Sequence, residues 1–254
     1  MGLVDIPYYQ RLVRAATGPV LELGAGTGRL TLPLARVGAT VCAVERDPAM
    51  AAQLRRRLDD ESEQVRARVE VIEAEMCSLR LPTRFMLVIV PANTWLLFPT
   101  AAERAQVLAV IHAHLHPQGR AVLDIFNATP DERVLDRWIE DGHAALDAGT
   151  NVSRLVRLRR IGQPELQQLE LTSRYEVDSP RGSLRWEQTQ PLAFLTPAQG
   201  RAECQAAGFE VRHIHGDYTG RTEVGPHSPR QLYQLRLPIG ERTAALRSRP
   251  KEDR

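Results

Sequence analysis

One short run gathers several residue types that could do chemistry together: "VLELGAGTGRL", residues 20–30. Gly24, Gly26 and Gly28 stand on alternate positions, and Glu22 lies two residues ahead of the first. An apolar stretch that reads as a strand precedes them, and a helically spaced stretch at 29–37 follows. Glycines at a strand-to-helix turn let the chain bend sharply and let a ligand approach the backbone. Dinucleotide sites place G-x-G-x-x-G there, with a pyrophosphate on the helix N-terminus. Here the third glycine falls one residue early, and the Glu22 carboxylate would repel a pyrophosphate.

That carboxylate suits a ligand without phosphate, one carrying an ammonium group on an amino-acid end and a nucleoside at the other. S-adenosyl-L-methionine is such a ligand, and its sulfonium adds a second positive charge. Two further acids, Glu45 and Glu75, fall with Glu22 at successive strand ends. Ligands of open α/β sheets bind at the carboxyl ends of the strands. The competing plain reading makes the glycines a turn, Glu45 a solvated loop residue, and Met50 and Met76 core.

With "ELGAGTG" (22–28), "VERDPAM" (44–50) and "EAEM" (73–76), the chain resembles the class I, Rossmann-like, S-adenosylmethionine-dependent methyltransferases of small-molecule type. The likeness extends through "LHPQGRAVLDIFN" (115–127) and "AGFEVRHIHGDYTG" (207–220). The resemblance implies that Gly24, Ala25, Gly26 and Gly28 pack against the methionine moiety and ribose. Glu45 would take both ribose hydroxyls, as a carboxylate can. Glu75 would receive the adenine amino group, with Met76 beside the ring; the family usually has aspartate where Glu75 stands. Arg46, Met50 and Pro91 would also line the cofactor.

Strands and helices alternate around these positions. Strands are expected at 40–46, 69–76, 85–90 and 120–127, with helices at 7–17, 48–58 and 101–115. A helix at 197–207 and strands at 209–215 and 231–237 follow. The fold class is thus α/β: a Rossmann-like, seven-stranded, mostly parallel sheet with helices on both faces. Between about 150 and 195 the pattern changes. Residues 166–177 alternate apolar with polar, a turn cluster lies at 178–182, and 183–190 and 153–161 read as strands on either side of them. They read as a three-stranded antiparallel insertion within one domain spanning 1–254, and a polar tail from residue 240 on is expected to fray.

Methyl transfer is an in-line displacement, so it needs positioning and exclusion of water more than a strong base. No sequence signature is therefore required, and no catalytic residue is singled out. "VPANTWLLF" (90–98) should face the methyl group, which makes Asn93 and Trp95 candidate acceptor contacts. It lacks the Asn/Asp-Pro-Pro-aromatic pattern of exocyclic-amine methylation, and no Pro-Cys pair suggests cytosine chemistry. Tyr8 and Tyr9 in the first helix and Asn127 at the fifth strand's end are further candidates. His213 and His215 share a strand face near Asp217 and Tyr218, where packing and surface roles compete with that of a general base. Arg154, Arg157, Arg159 and Arg160 read as a charged strand edge. The insertion resembles the extra sheet of small-molecule N-methyltransferases, where it roofs the acceptor site or forms a dimer contact.

Composition narrows the classes. Lysine plus arginine is 33 against 31 acidic residues, a net charge of +2 that suggests no nucleic-acid partner. No apolar run reaches the length of a membrane span, and the N-terminus lacks a secretory pattern. Cys42, Cys77 and Cys204 stand apart, so neither a metal site nor a disulfide framework is expected, and a reduced, cytoplasmic setting fits. The expected activity is methyl transfer from S-adenosylmethionine to an amine or hydroxyl of a small molecule, with a homodimer as one assembly. A nicotinamide-dependent oxidoreductase and a non-catalytic S-adenosylmethionine-binding protein are the alternatives.

Overall fold

The computed structural model describes residues 3–127, 136–161, 168–238 and 240. A 3-10 turn (Leu3–Asp5) leads into α1 (Ile6–Arg14). The chain continues as β1 (Val20–Leu23), α2 (Thr31–Arg36), β2 (Val41–Glu45), α3 (Pro48–Asp59), α4 (Glu63–Arg66), β3 (Val69–Glu73), β4 (Phe85–Val90), α5 (Ala101–His114) and β5 (Leu115–Phe126). Four long strands follow: β6 (Ile139–Asp147), β7 (Thr150–Ile161), β8 (Gln168–Ser179) and β9 (Gly182–Ala193). The chain closes with α6 (Pro197–Ala206), β10 (Glu210–His215) and β11 (Arg230–Arg236).

Seven strands form one sheet in the order β10-β11-β5-β4-β1-β2-β3. Strands β1 to β5 run parallel, whereas β11 is antiparallel to both β5 and β10. β1 is buried along its whole length and β4 everywhere except Met86, as strands covered on both faces should be. One core lies on the α5 and α6 side, around Trp95, Leu108, Ile111, Leu123 and Tyr233. The other lies under α1 and α2, around Tyr9, Leu12, Leu34, Leu87 and Ile89. Helix starts follow local chemistry. The Asp47 carboxylate caps α3 by accepting from the N–H groups of Ala49 and Met50. Thr100 with Glu103, and Thr196 with Gln199, form reciprocal capping boxes on α5 and α6.

All seven expected strands of the main sheet are present, the one at 85–90 with the expected ends and the others with shifted ends. The helix expected to begin at Arg29 begins at Thr31, because the glycine turn extends through Leu30.

The antiparallel insertion has four strands, not three, in the order β6-β7-β8-β9. "IEDGHAALD" alternates too weakly to announce β6; its pairing with β7 makes it a strand. That pairing also moves the arginine-bearing β7 from an edge to the interior. Arg154 donates to Asp141 (2.7 Å) and to the Ser173 hydroxyl (3.1 Å), and Arg159 pairs with Glu170 (2.8 Å). Leu169, Leu192 and Ala193 root the sheet in the main core. Among the described residues no helix is long and apolar enough to cross a membrane. The expected frayed tail lies outside the described residues beyond Gly240, as do residues 166 and 167 at the start of the expected middle strand of the insertion.

Candidate active site

The strand order reverses at β1, which has β2 on one side and β4 on the other, so the crevice of this fold opens above β1 and β4. The glycine loop follows β1 directly. The N–H groups of Gly24 and Ala25 donate to the Val44 carbonyl (2.9 and 3.0 Å), which stitches the loop to β2. The three glycines serve different ends. A Cβ on Gly28 would stand 2.2 Å from Leu54, and one on Gly24 2.6 Å from Thr94, so both allow close packing. A Cβ on Gly26 would meet nothing within 4 Å, and its φ is +57°. That open space is the cradle a ligand would fill.

Around the cradle the predicted cofactor residues converge. Gly26 N–H donates to one Glu45 oxygen (2.8 Å) and Asp47 N–H to the other (2.8 Å). Each oxygen keeps a lone pair for a further donor such as a ribose hydroxyl. Arg46 donates to Glu75 (3.2 Å), whose other oxygen accepts from Cys77 N–H (3.4 Å). Met76 is buried beneath them, whereas Met50, in the first turn of α3, is exposed. Glu22 lies behind the loop, fully buried, and accepts from the Thr31 hydroxyl (2.7 Å). Burial pushes its carboxyl up to about 7, against the weaker opposing pull of Thr31 and Arg29. Arg29 itself forms a two-pronged ion pair with Asp5 (2.7 Å for each bond).

The acceptor side is built differently. Pro91 is buried, and the two residues after it, Ala92 and Asn93, are left-handed non-glycines (φ 54° and 68°). Such conformations cost roughly 1–3 kcal/mol each and persist where surroundings enforce them. Asn93 N–H donates to the Asp124 carbonyl (2.9 Å), its side-chain oxygen accepts from Phe126 N–H (2.7 Å), and the Thr94 hydroxyl donates to the Pro91 carbonyl (2.6 Å). The fully buried Asp124 side chain joins in. One oxygen accepts from Tyr9 (3.0 Å), Tyr218 (3.0 Å) and Ala92 N–H (3.4 Å), and the other accepts from the Arg230 guanidinium. Burial, and then the Asp124 charge, raise the pKa of both phenols, so each keeps its proton and donates a hydrogen bond with it.

Several predicted acceptor contacts stand behind the site instead of lining it. Trp95 is fully buried, edge-to-face with Tyr233 and donating to the Arg104 carbonyl (3.4 Å), so it is core. The Asn127 amide nitrogen donates to the Gly225 and Ser228 carbonyls before β11, and its oxygen accepts from the Gln231 amide within β11. Tyr9 is buried on Asp124. Tyr8 is buried under Gly220 and Tyr218, its hydroxyl without a well-placed partner and pushed up to about 12 by burial. His213 and His215 stack on each other, with His213 on Glu223 (2.8 Å). Sequence reading does not single out Asp124 or Arg230 at all. The available signal is one acid inside the apolar run "AVLDIF", just where a buried strand meets the crevice.

A family model described as a methyltransferase domain matches residues 20–119, the span from the glycine loop to the start of β5. The cypemycin N-terminal methyltransferase of a Streptomyces species is 28% identical over 203 residues, covering 79% of this chain and 76% of that protein. The solved structure of CalS10, an S-adenosylmethionine-bound amino pentose methyltransferase of Micromonospora echinaspora, is 25% identical, with a TM-score of 0.67 over 92% of this chain and 91% of its own. The chain is an S-adenosylmethionine-dependent methyltransferase, with a methyltransferase domain at residues 20–119. CcbJ from Streptomyces caelestis shares the fold at a TM-score of 0.75, with 24% identity over 92% of this chain and 90% of that one. The methyltransferase uses S-adenosyl-L-methionine as cofactor, and the Gly26 cradle with Glu45 at its rim fits it. Neither the oxidoreductase nor the non-catalytic alternative finds support in these relatives.

Proposed function

We propose that the methyltransferase transfers the methyl group to an amine nitrogen of a small molecule, or of a short peptide's end. The observation that carries this is the state of the groups behind the Ala92–Asn93 turn. Asp124 is committed to Arg230 and two phenols, and both phenols are held protonated. None of these is free to deprotonate a hydroxyl, whereas an amine attacks once it is neutral and needs only positioning. The names of the relatives agree, one an amino pentose methyltransferase and another an N-terminal methyltransferase.

In this reading the loop from Gly24 to Gly28, with Ala25, cradles the methionine and ribose portions. Glu45 accepts from the ribose diol, and Arg46, Met50, Glu75 and Met76 enclose the adenine. Pro91, Ala92 and Asn93 shape the wall where the methyl meets the acceptor, and Tyr8, Tyr9, Trp95 and Asn127 hold that wall. The antiparallel sheet works with the main sheet as one catalytic unit. Its edge strand β9 exposes Leu184 and Trp186, which supports a homodimer through this sheet. The cofactor supplies an electrophilic methyl on sulfur; the chain supplies alignment and dryness. Purified protein incubated with S-adenosylmethionine should methylate amino sugars or peptide amino termini by mass spectrometry and leave the matching hydroxyl compounds unchanged. Methylation confined to hydroxyls would overturn the amine assignment.

A further inference from the structure

We propose that His213, His215 and Glu223 form a proton-sensitive clasp that holds the loop between β10 and β11 closed on Asp124 and releases it in acid. The loop, residues 216–229, carries Tyr218, whose hydroxyl donates to the Asp124 carboxylate (3.0 Å). The effect of the clasp on turnover rests on the Ala92–Asn93 turn being the acceptor wall.

His213 and His215 flank Ile214, which is buried in the core on the α5 and α6 side, so both imidazoles stand on the other face of β10. The rings stack, with centroids 5.1 Å apart and planes 15° from parallel. Glu223 comes back along the loop to meet them. One of its oxygens pairs with His213 Nδ1 (2.8 Å), and the other accepts from the Ile214 N–H (3.4 Å). Val224 N–H donates to the Ile214 carbonyl (2.7 Å), and Gly216 N–H to that of Thr222 (2.8 Å). His215 is only 8% exposed, and its Nδ1 has no hydrogen-bond partner. Across β11 the residues opposite the two histidines are Gln234 and Leu232, neither of which titrates. From α1, Arg11 holds the Tyr218 carbonyl (2.7 Å), and Tyr8 lies under Gly220. Within the loop, Glu223 and Asp217 are the acids that act on His215.

One carboxylate neutralises one imidazolium, and Glu223 is already engaged by His213. A proton on His215 would set positive charge on a ring stacked against that pair, at a position closed to water. Burial holds the His215 pKa below the ordinary 6.5 against the pull of Glu223, and the charge of His213 adds to the lowering. Opening the loop exposes His215, lets it take a proton, and lifts Tyr218 off Asp124. The closed loop therefore binds fewer protons than the open one. Closure is favoured fully above about pH 6.5 and weakens as pH falls through that value.

Hydrogen exchange of the full-length protein, read by mass spectrometry on peptides covering 216–229 at pH 7.5 and pH 5.5 and corrected for the intrinsic exchange rate, tests the clasp. The Gly216 and Val224 amides are the reporters, since both donate across the closed loop. Their protection should fall about tenfold between the two pH values, as for one imidazole of ordinary pKa exposed on opening. His215→Gln keeps a polar side chain of similar length without the titration, and should hold protection within about twofold over the same range. Tyr218→Phe cuts the loop from Asp124 but spares the clasp, so it should keep the tenfold step. Protection in the wild type that does not change with pH, or an undiminished step in His215→Gln, overturns the proposal. If His215→Gln does not fold, the wild-type step and its survival in Tyr218→Phe decide the matter. The acceptor KM, expressed as neutral amine, should rise in acid in the wild type and not in His215→Gln. An exchange step without that rise would reject the acceptor wall and leave the clasp standing.

Discussion

The two halves of the crevice are built on different principles. The half proposed for the cofactor is made by near neighbours along the chain. Glu22 meets Thr31 nine residues away, Gly26 meets Glu45 after nineteen, and Arg46 meets Glu75 after twenty-nine. Much of it is backbone: a loop of glycines, N–H groups and strand ends. The half proposed for the acceptor is made by side chains brought from far apart. Asp124 binds Tyr218, Arg230 and Tyr9 at separations of 94, 106 and 115 residues. A shared cofactor can be read by a compact local motif, whereas an individual acceptor is shaped by distant segments meeting over β4 and β5.

Breaking each half should therefore fail differently. Gly26→Val should have the largest effect, loss of S-adenosylhomocysteine binding beyond detection. The new side chain points into the open cradle and touches nothing within 4 Å of its Cβ, so circular dichroism should show a folded protein. The left-handed backbone adds a strain of about 1–2 kcal/mol. Asp124→Ala should leave Arg230 as an uncompensated buried charge and cost about 3–5 kcal/mol in urea unfolding. Tyr9→Phe removes one of the bonds to that carboxylate and should cost less, about 1–3 kcal/mol. If Asp124→Ala proved as mild as Tyr9→Phe, the acceptor half would not hang on this carboxylate.

Glu22 sharpens the same comparison through pH. Its carboxyl titrates higher in the folded protein than in the unfolded chain, so the folded state holds the extra proton between about pH 4.5 and 7. Its contribution to stability is fully present below that window and is lost as pH rises through it, by about 3 kcal/mol in all. Unfolding of the ligand-free protein at pH 5 and pH 8 should show this fall, and Glu22→Gln should flatten it. The smallest effect is expected at the rim. Glu45→Ala should weaken S-adenosylhomocysteine binding by about 1–3 kcal/mol without disturbing the acceptor half.

The same contrast explains what the sequence made legible. The glycine loop, Glu45 and Glu75 announce themselves because strand ends, turn glycines and acids fall in register within one stretch. The seven-stranded sheet follows from apolar runs separated by helical spacing. Strand β6 was hidden, since "IEDGHAALD" carries almost no alternation and becomes a strand only by pairing with β7. Trp95 looked like a pocket residue because it follows the acceptor turn. Its burial against Tyr233 depends on β11, 138 residues further on. Asp124 needed the whole fold, because its three side-chain partners come from α1, the loop after β10 and the first residue of β11.

The most direct test of the account is a calorimetric titration of the purified protein with S-adenosylhomocysteine, with NADH as the control. Micromolar binding of the first, lost in Gly26→Val, and none of the second is the predicted result. Binding of NADH in place of S-adenosylhomocysteine, or S-adenosylhomocysteine binding that survives Gly26→Val unchanged, would contradict it.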